Sequence, residues 1–147
     1  MSDASNLARK LGIAPGRSIL LLDAPAPSAA LLRDACPPGA TVADADDGTD
    51  RYDIILLWLR SADGLAERFV ALQWRIMPDG AIWVMLLKKP IARKRGVTLT
   101  WKEMQTAALQ TDLVDNKIAS FSDEEYGTRF VIRRERRSSY ATPHSGR

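Results

Sequence analysis

The sequence predicts a single-domain α/β fold with a mostly parallel sheet and a C-terminal antiparallel hairpin, and three observations carry that prediction. The runs Ser18–Leu22, 52–59 and 81–87 are continuously rather than alternately apolar, the pattern of strands buried on both faces. Between the second and third runs, Leu65, Phe69, Leu72 and Ile76 repeat at helical spacing, which makes a strand–helix–strand crossover. Beyond these the pattern differs, because 117–122 and 128–133 are two short runs joined by the turn-forming stretch 123–127, read as a hairpin. A chain of 147 residues suits one domain.

The elements follow in order. Residues 6–11 read as a short helical arm closed by Gly12, and Pro15-Gly16 turns the chain into Ser18–Leu22, which ends at Asp23. Pro25 and Pro27 precede a short helix expected from about Ser28 to Ala35, stopped by Cys36-Pro37-Pro38-Gly39. Thr41–Ala43 reads as a brief strand, and the acidic stretch 44–50 as a solvated loop that lacks the calcium-loop pattern. The strand 52–59 ends in Arg60. Ser61 and Asp63 are placed to cap a helix reaching about Met77, with Pro78-Asp79-Gly80 turning into the strand 81–87. Residues 89–96 form a basic loop; Thr100 and Glu103 then have capping-box spacing, opening a helix over 101–110. The division expected is an arm over 1–17, the α/β domain over 18–133, and a basic, aperiodic tail over 134–147 for which disorder is expected.

Composition narrows the function classes. An apolar share of 46% with 27% charged residues supports a real core. A net charge of +3 with a pI near 9.2 suits local basic patches rather than a uniformly basic surface. The lone Cys36 excludes an internal disulfide and multi-cysteine metal sites, and the lone His144 lies in the tail, so no metal site is expected. The N-terminus lacks the basic-then-apolar pattern of a secretion signal, and no apolar run approaches the roughly 20 residues needed to span a bilayer. A cytoplasmic protein with no membrane partner is expected.

Four stretches resemble a known family: KLGIAPG at 10–16, DIILLWLRSADG at 53–64, DGAIWVMLLKK at 79–89 and YGTRFVIRR at 126–134. Together they resemble the uncharacterised bacterial domain of unknown function 3052, and the string with Trp58 and Arg60 followed by the strand with Trp83 is the most specific part. The resemblance implies a Rossmann-like fold of the class I methyltransferase type. It implies no established activity and no catalytic residues. The sequence departs from active methyltransferases after the first strand, where LLLDAPAPSAALL keeps Asp23 but places Ala24, Pro25 and Pro27 at positions of the usual glycines. Proline has no N–H to offer, so no cofactor is expected and ordinary S-adenosylmethionine binding is disfavoured.

The remaining candidates come from position and charge. Ligands of open parallel sheets bind outside the carboxyl ends of the strands, which brings Asp23, Asp44, Arg60 and Lys88 toward one edge. They either hold an anionic or hydroxyl-bearing small molecule or are strand-end charges paired with each other, and the second reading is favoured. Lys89, Arg93, Lys94 and Arg95, joined by Arg133, Arg134, Arg136 and Arg137, are candidates for a nucleic-acid backbone patch; a solvated loop and tail are favoured. Trp58, Trp83 and Trp101 are assigned to packing, whereas Trp74 falls off the helical stripe and marks a candidate protein or homodimer contact. Cys36 lacks a base and reads as an incidental thiol. Asp123, Glu124 and Glu125 read as hairpin-tip charges. A non-catalytic binding or interaction module is the function expected, with a divergent small-molecule enzyme and nucleic-acid binding as alternatives.

Overall fold

A computed structural model describes residues 3–44 and 51–141. Six strands form one sheet: β1 (Ser18–Leu22), β2 (Thr41–Ala43), β3 (Tyr52–Trp58), β4 (Ile76–Leu87), β5 (Leu113–Ser120) and β6 (Glu125–Ile132). Their order is β2-β1-β3-β4-β6-β5. The first three pairings are parallel, and β6 lies antiparallel between β4 and β5. The expected mixed sheet with its terminal hairpin is therefore present.

The continuous apolar runs bury both faces, as parallel strands do. On one face Ile19, Leu21, Leu56, Trp58, Trp83 and Met85 pack against helices α1 (Asp3–Leu11) and α2 (Ala26–Ala35). On the other, Ile55, Leu57, Val84 and Leu86 meet α3 (Leu65–Leu72) and α5 (Trp101–Leu109). Leu7, Leu11 and Ile13 are buried, so the N-terminal segment packs as part of the domain. The Trp83 indole donates to the Leu11 carbonyl at 3.1 Å, tying α1 to the middle of β4.

Several boundaries differ from the sequence reading. The helix expected to reach Met77 stops at Leu72, and Ile76 belongs to β4 rather than to the helical stripe. Tyr52 pairs with Ile76 and Ile54 with Ala81, so the extra residues are absorbed by a register shift in β4. The α3 cap is Gly64, with no side-chain cap, while Ser61 Oγ accepts from the Asp63 amide at 3.1 Å. The helix expected from Ser28 starts two residues earlier, with Pro25 at its cap and a proline in its first turn. Part of the basic loop is a short helix, α4 (Lys89–Lys94). The Thr100–Glu103 capping box is present in full.

The tail is corrected most. Arg134–Tyr140 forms a 3-10 segment, and Tyr140 is fully buried. Its ring lies 4.2 Å from that of Trp74, and its hydroxyl donates to Asp112 at 2.6 Å. Trp74, expected to mark a contact with another chain, is half-buried and stacks on Tyr140 of the chain's own C-terminal segment. Residues 142–147, His144 among them, and most of the acidic stretch, 45–50, lie outside the described residues.

Candidate functional site

The parallel strands end at one edge of the sheet, and that edge carries all four predicted ligand residues. Each is held by a partner other than those four. Asp23, after β1, takes Arg68 of α3 at 2.8 Å. Asp44, after β2, takes Arg33 of α2 at 3.0 Å. Arg60, after β3, takes Glu125 at 2.7 Å, and Lys88, after β4, donates to Ser120 Oγ at 2.9 Å. The expectation that these charges pair with each other is therefore not met.

Glu125 is the residue that sequence reasoning misses. Its place in an acidic run suggests an exposed hairpin tip, but it is the first residue of β6, faces Leu87 across the pairing, and is 4% exposed. One carboxylate oxygen accepts from Ser28 Oγ at 2.7 Å and the other from Arg60 Nη2 at 2.7 Å. Arg60 also donates to its neighbouring Leu59 carbonyl at 2.9 Å, which fixes the guanidinium. The carboxylate thus joins α2, β3 and β6 across the end of β4. Burying a carboxylate is costly unless it is both paired and hydrogen-bonded, and here it is both. Nothing local in Asp123-Glu124-Glu125 distinguishes the third acid; only β-strand alternation from Phe130 back to Glu125 gives its face. The neighbouring Glu124 pairs with Arg95 at 2.7 Å on the exposed side.

Two cavities flank this network. One, of about 340 Å³, lies between the ends of β1 and β3 and includes Asp23, Trp58, Arg60 and Arg68 in its wall. Strand order reverses direction here, the place where α/β sheets bind ligands. The buried Trp58 indole N–H has no hydrogen-bond partner among the described residues; its ring meets Phe121 edge-on at 5.6 Å. The second cavity, of about 530 Å³, opens over Pro27, Ser28, Arg60, Arg95 and Glu125.

The segment after β1 does not present a glycine cradle. Asp23 itself adopts φ 60°, the only positive φ of a non-glycine residue among the described residues, and so makes the tight turn. Pro25 and Pro27 then remove two donors from the start of α2. Asp44 sits about 20 residues on, at the end of β2, where Rossmann sites hold ribose hydroxyls, but its carboxylate is engaged by Arg33. The residues present do not fit S-adenosylmethionine in the usual glycine-loop manner.

The nucleic-acid candidates are split by the fold. Lys89, Arg93, Lys94 and Arg95 lie at the start of β6, whereas Arg133 to Arg137 follow its other end, about 25 Å away for an eight-residue strand. One continuous patch does not form. Arg136 pairs with Asp112 at 3.3 Å, and Arg137 donates to the Ile132 carbonyl at 3.0 Å. Among the described residues no group of three or more acidic, histidine or cysteine side chains is arranged to hold a metal. Cys36 is half-buried, and burial pushes its thiol up against the opposing pull of Arg33. No helix of the described residues is long and apolar enough to cross a membrane.

Known structures share this architecture. A SAM-dependent methyltransferase from Aquifex aeolicus matches at TM-score 0.61 and 10% identity, over 88% of this chain and 89% of that one. An S-adenosylmethionine-dependent methyltransferase from Clostridium acetobutylicum matches at TM-score 0.55 and 8% identity, over 86% and 88%. A TehB-like SAM-dependent methyltransferase from Corynebacterium glutamicum matches at TM-score 0.53 and 13% identity, over 88% and 86%. At these identities the likeness is one of fold. None of the curated proteins matches the sequence. Residues 8–134 match the sequence model of the family described as Protein of unknown function (DUF3052), and the chain belongs to that family.

Proposed function

We propose that the chain is a non-catalytic binding module built on the methyltransferase-like fold, with the charged groups of its strand-end crevice engaged by its own side chains. The observation that carries this reading is Glu125. Its buried carboxylate already takes the Arg60 guanidinium and the Ser28 hydroxyl, the donors an anionic ligand would need. A ligand entering there must displace it and leave a buried charge unpaired, a loss of several kcal/mol in typical buried pairs. The prolines after Asp23 support the same reading, because they remove donors from the start of α2. Calorimetric titration with S-adenosylmethionine and S-adenosylhomocysteine tests it: no saturable heat is expected. Saturable binding weakened by Asp23→Asn or Asp44→Asn would replace this reading with that of a divergent methyltransferase.

A second reading has one observation in its favour. Trp58, whose buried indole N–H has no hydrogen-bond partner among the described residues, contributes to the wall of the 340 Å³ cavity with Arg60 and Arg68, and a small anion there would compete with Glu125 and Asp23 for the two guanidinium groups. Inorganic phosphate added to ¹⁵N-labelled protein should move the Trp58 indole resonance saturably if a small anion binds there; a resonance that stays put removes the reading.

A further inference from the structure

A third cavity, of about 370 Å³, lies on the opposite face of the sheet from Ser28 and Glu125, between α4 and the loop leading into α5. Its size falls within the range of small-molecule sites, and its wall is mainly apolar, with Leu86, Val97, Leu99, Trp101 and Tyr126 contributing. Two flat rings are held ready. The Trp101 indole donates to Thr128 Oγ1 at 2.8 Å, and Thr128 is fully buried, so the ring is fixed from behind. Tyr126 is half-buried, and burial pushes its phenol up, so it stays neutral at physiological pH.

Charge identifies what the rings would meet. Lys89 and Arg93 of α4 line the same cavity and have no acidic partner among the described residues, unlike Arg95, which Glu124 neutralises. No carboxylate lines the cavity. Apolar walls, two aromatic side chains and two cations without an acidic partner among the described residues are complementary to a molecule with an aromatic body and a single anionic group. A nucleic-acid strand fits less well, because the basic residues of α4 stand apart from those after β6 and two cations beside a concave apolar wall do not track a backbone.

We propose that this cavity binds a small aromatic carboxylate, with its ring against Trp101 and Tyr126 and its carboxylate on Lys89 and Arg93. The site does not involve the Glu125 network, and it stands or falls independently of whether the strand-end crevice takes an adenosyl compound.

The test uses 2-naphthoate on the whole chain, followed by calorimetry and tryptophan fluorescence, with 2-naphthylmethanol as the neutral counterpart. Saturable 2-naphthoate binding is expected, about tenfold tighter than that of the neutral compound, since a charge-assisted hydrogen bond contributes that much. The variant K89Q/R93Q should lose about tenfold for the acid and leave the neutral compound unchanged. Ala92→Phe, which fills the cavity from α4 without touching charge, should abolish binding of both. Melting curves for both variants should match the parent, because these α4 side chains lie outside the core. No saturable binding of 2-naphthoate up to its solubility limit overturns the proposal, as does binding indifferent to both variants. A single-stranded oligonucleotide that binds through Lys89 and Arg93 while 2-naphthoate does not, or a dimer dispersed by Ala92→Phe with no 2-naphthoate binding, also overturns it and identifies the occupant as nucleic acid or a second copy.

Discussion

Glu125 and Arg60 are 65 residues apart in the chain, yet the carboxylate and guanidinium meet at 2.7 Å over the end of β4. The side chain of the acid is 5% exposed and that of the base 31%, so water screens one partner far more than the other. Arg60→Ala leaves the buried carboxylate with Ser28 as its side-chain donor. The expected loss is about 2–3 kcal/mol, below the full penalty of a wholly buried pair because Arg60 is partly solvated. Glu125→Gln keeps an oxygen for one of the two donors and should cost about 1 kcal/mol. In urea denaturation the double variant Arg60→Ala/Glu125→Ala should cost less than the sum of the singles. Additive losses would show that the two side chains act separately.

The turn at Asp23 gives a second prediction. Its φ of 60° suits glycine, asparagine or aspartate and penalises a β-branched side chain. The ion pair with Arg68 is exposed, 61% on the acid and 38% on the base, so it contributes little. Asp23→Gly is therefore expected to be neutral within about 0.5 kcal/mol. Asp23→Val should cost about 1–2 kcal/mol through backbone strain. Equal losses for the two variants in thermal melts would place the stabilisation in the ion pair instead of the turn.

Much of the fold was legible because it depends on local pattern. Ser18–Leu22 and the strand ending in Trp58 are apolar on both faces, and Thr100 with Glu103 is a cap that needs no tertiary information. What escaped depends on distant partners. Ile76 fits a helical stripe as well as a strand, and only its pairing with Tyr52 decides between them. The segment 134–140 has no period, and Tyr140 is ordered by Trp74, Asp112 and an Arg51 side chain that donates to its carbonyl at 2.8 Å. The site was legible to the same extent. The carboxyl-end rule placed Asp23, Asp44, Arg60 and Lys88 on one edge, but their partners Arg68, Arg33, Glu125 and Ser120 come from other elements.

Gly127 tests the packing of the hairpin on β4. It faces Met85 across the strand pair, and a Cβ built there would come within 2.8 Å of the Met85 sulfur and 2.9 Å of the Trp83 ring. The thioether can move, but the indole is tied to the Leu11 carbonyl and lies in a filled core. Gly127→Ala should therefore destabilise by about 1–3 kcal/mol, an overpacking cost. Met85→Ala should cost less in the Gly127→Ala background than in the parent, because it makes room for the added methyl. Equal costs in the two backgrounds, measured by denaturation, would mean that the Trp83 contact decides the strain.

Tyr140 supplies a pH-dependent prediction. Burial, its hydrogen bond to Asp112 and that carboxylate's charge, in that order, hold its phenol above the ordinary value, while Arg136 pulls the other way. The fold thus prefers the neutral phenol. Its stabilising contribution is complete below the unfolded-state value of about 10 and is lost as pH rises through the folded value. Tyr126 and Cys36 shift in the same direction, so the whole protein should weaken in alkali. Comparison with Tyr140→Phe isolates the one residue. At pH 7 that variant should be about 1 kcal/mol less stable, having lost a hydrogen bond. Above pH 10 the parent loses stability that the variant cannot lose, so the gap should close and then reverse. Urea midpoints measured for both proteins from pH 7 to 11 check this, and a constant gap would show that the Tyr140 phenol titrates alike in the folded and unfolded chains.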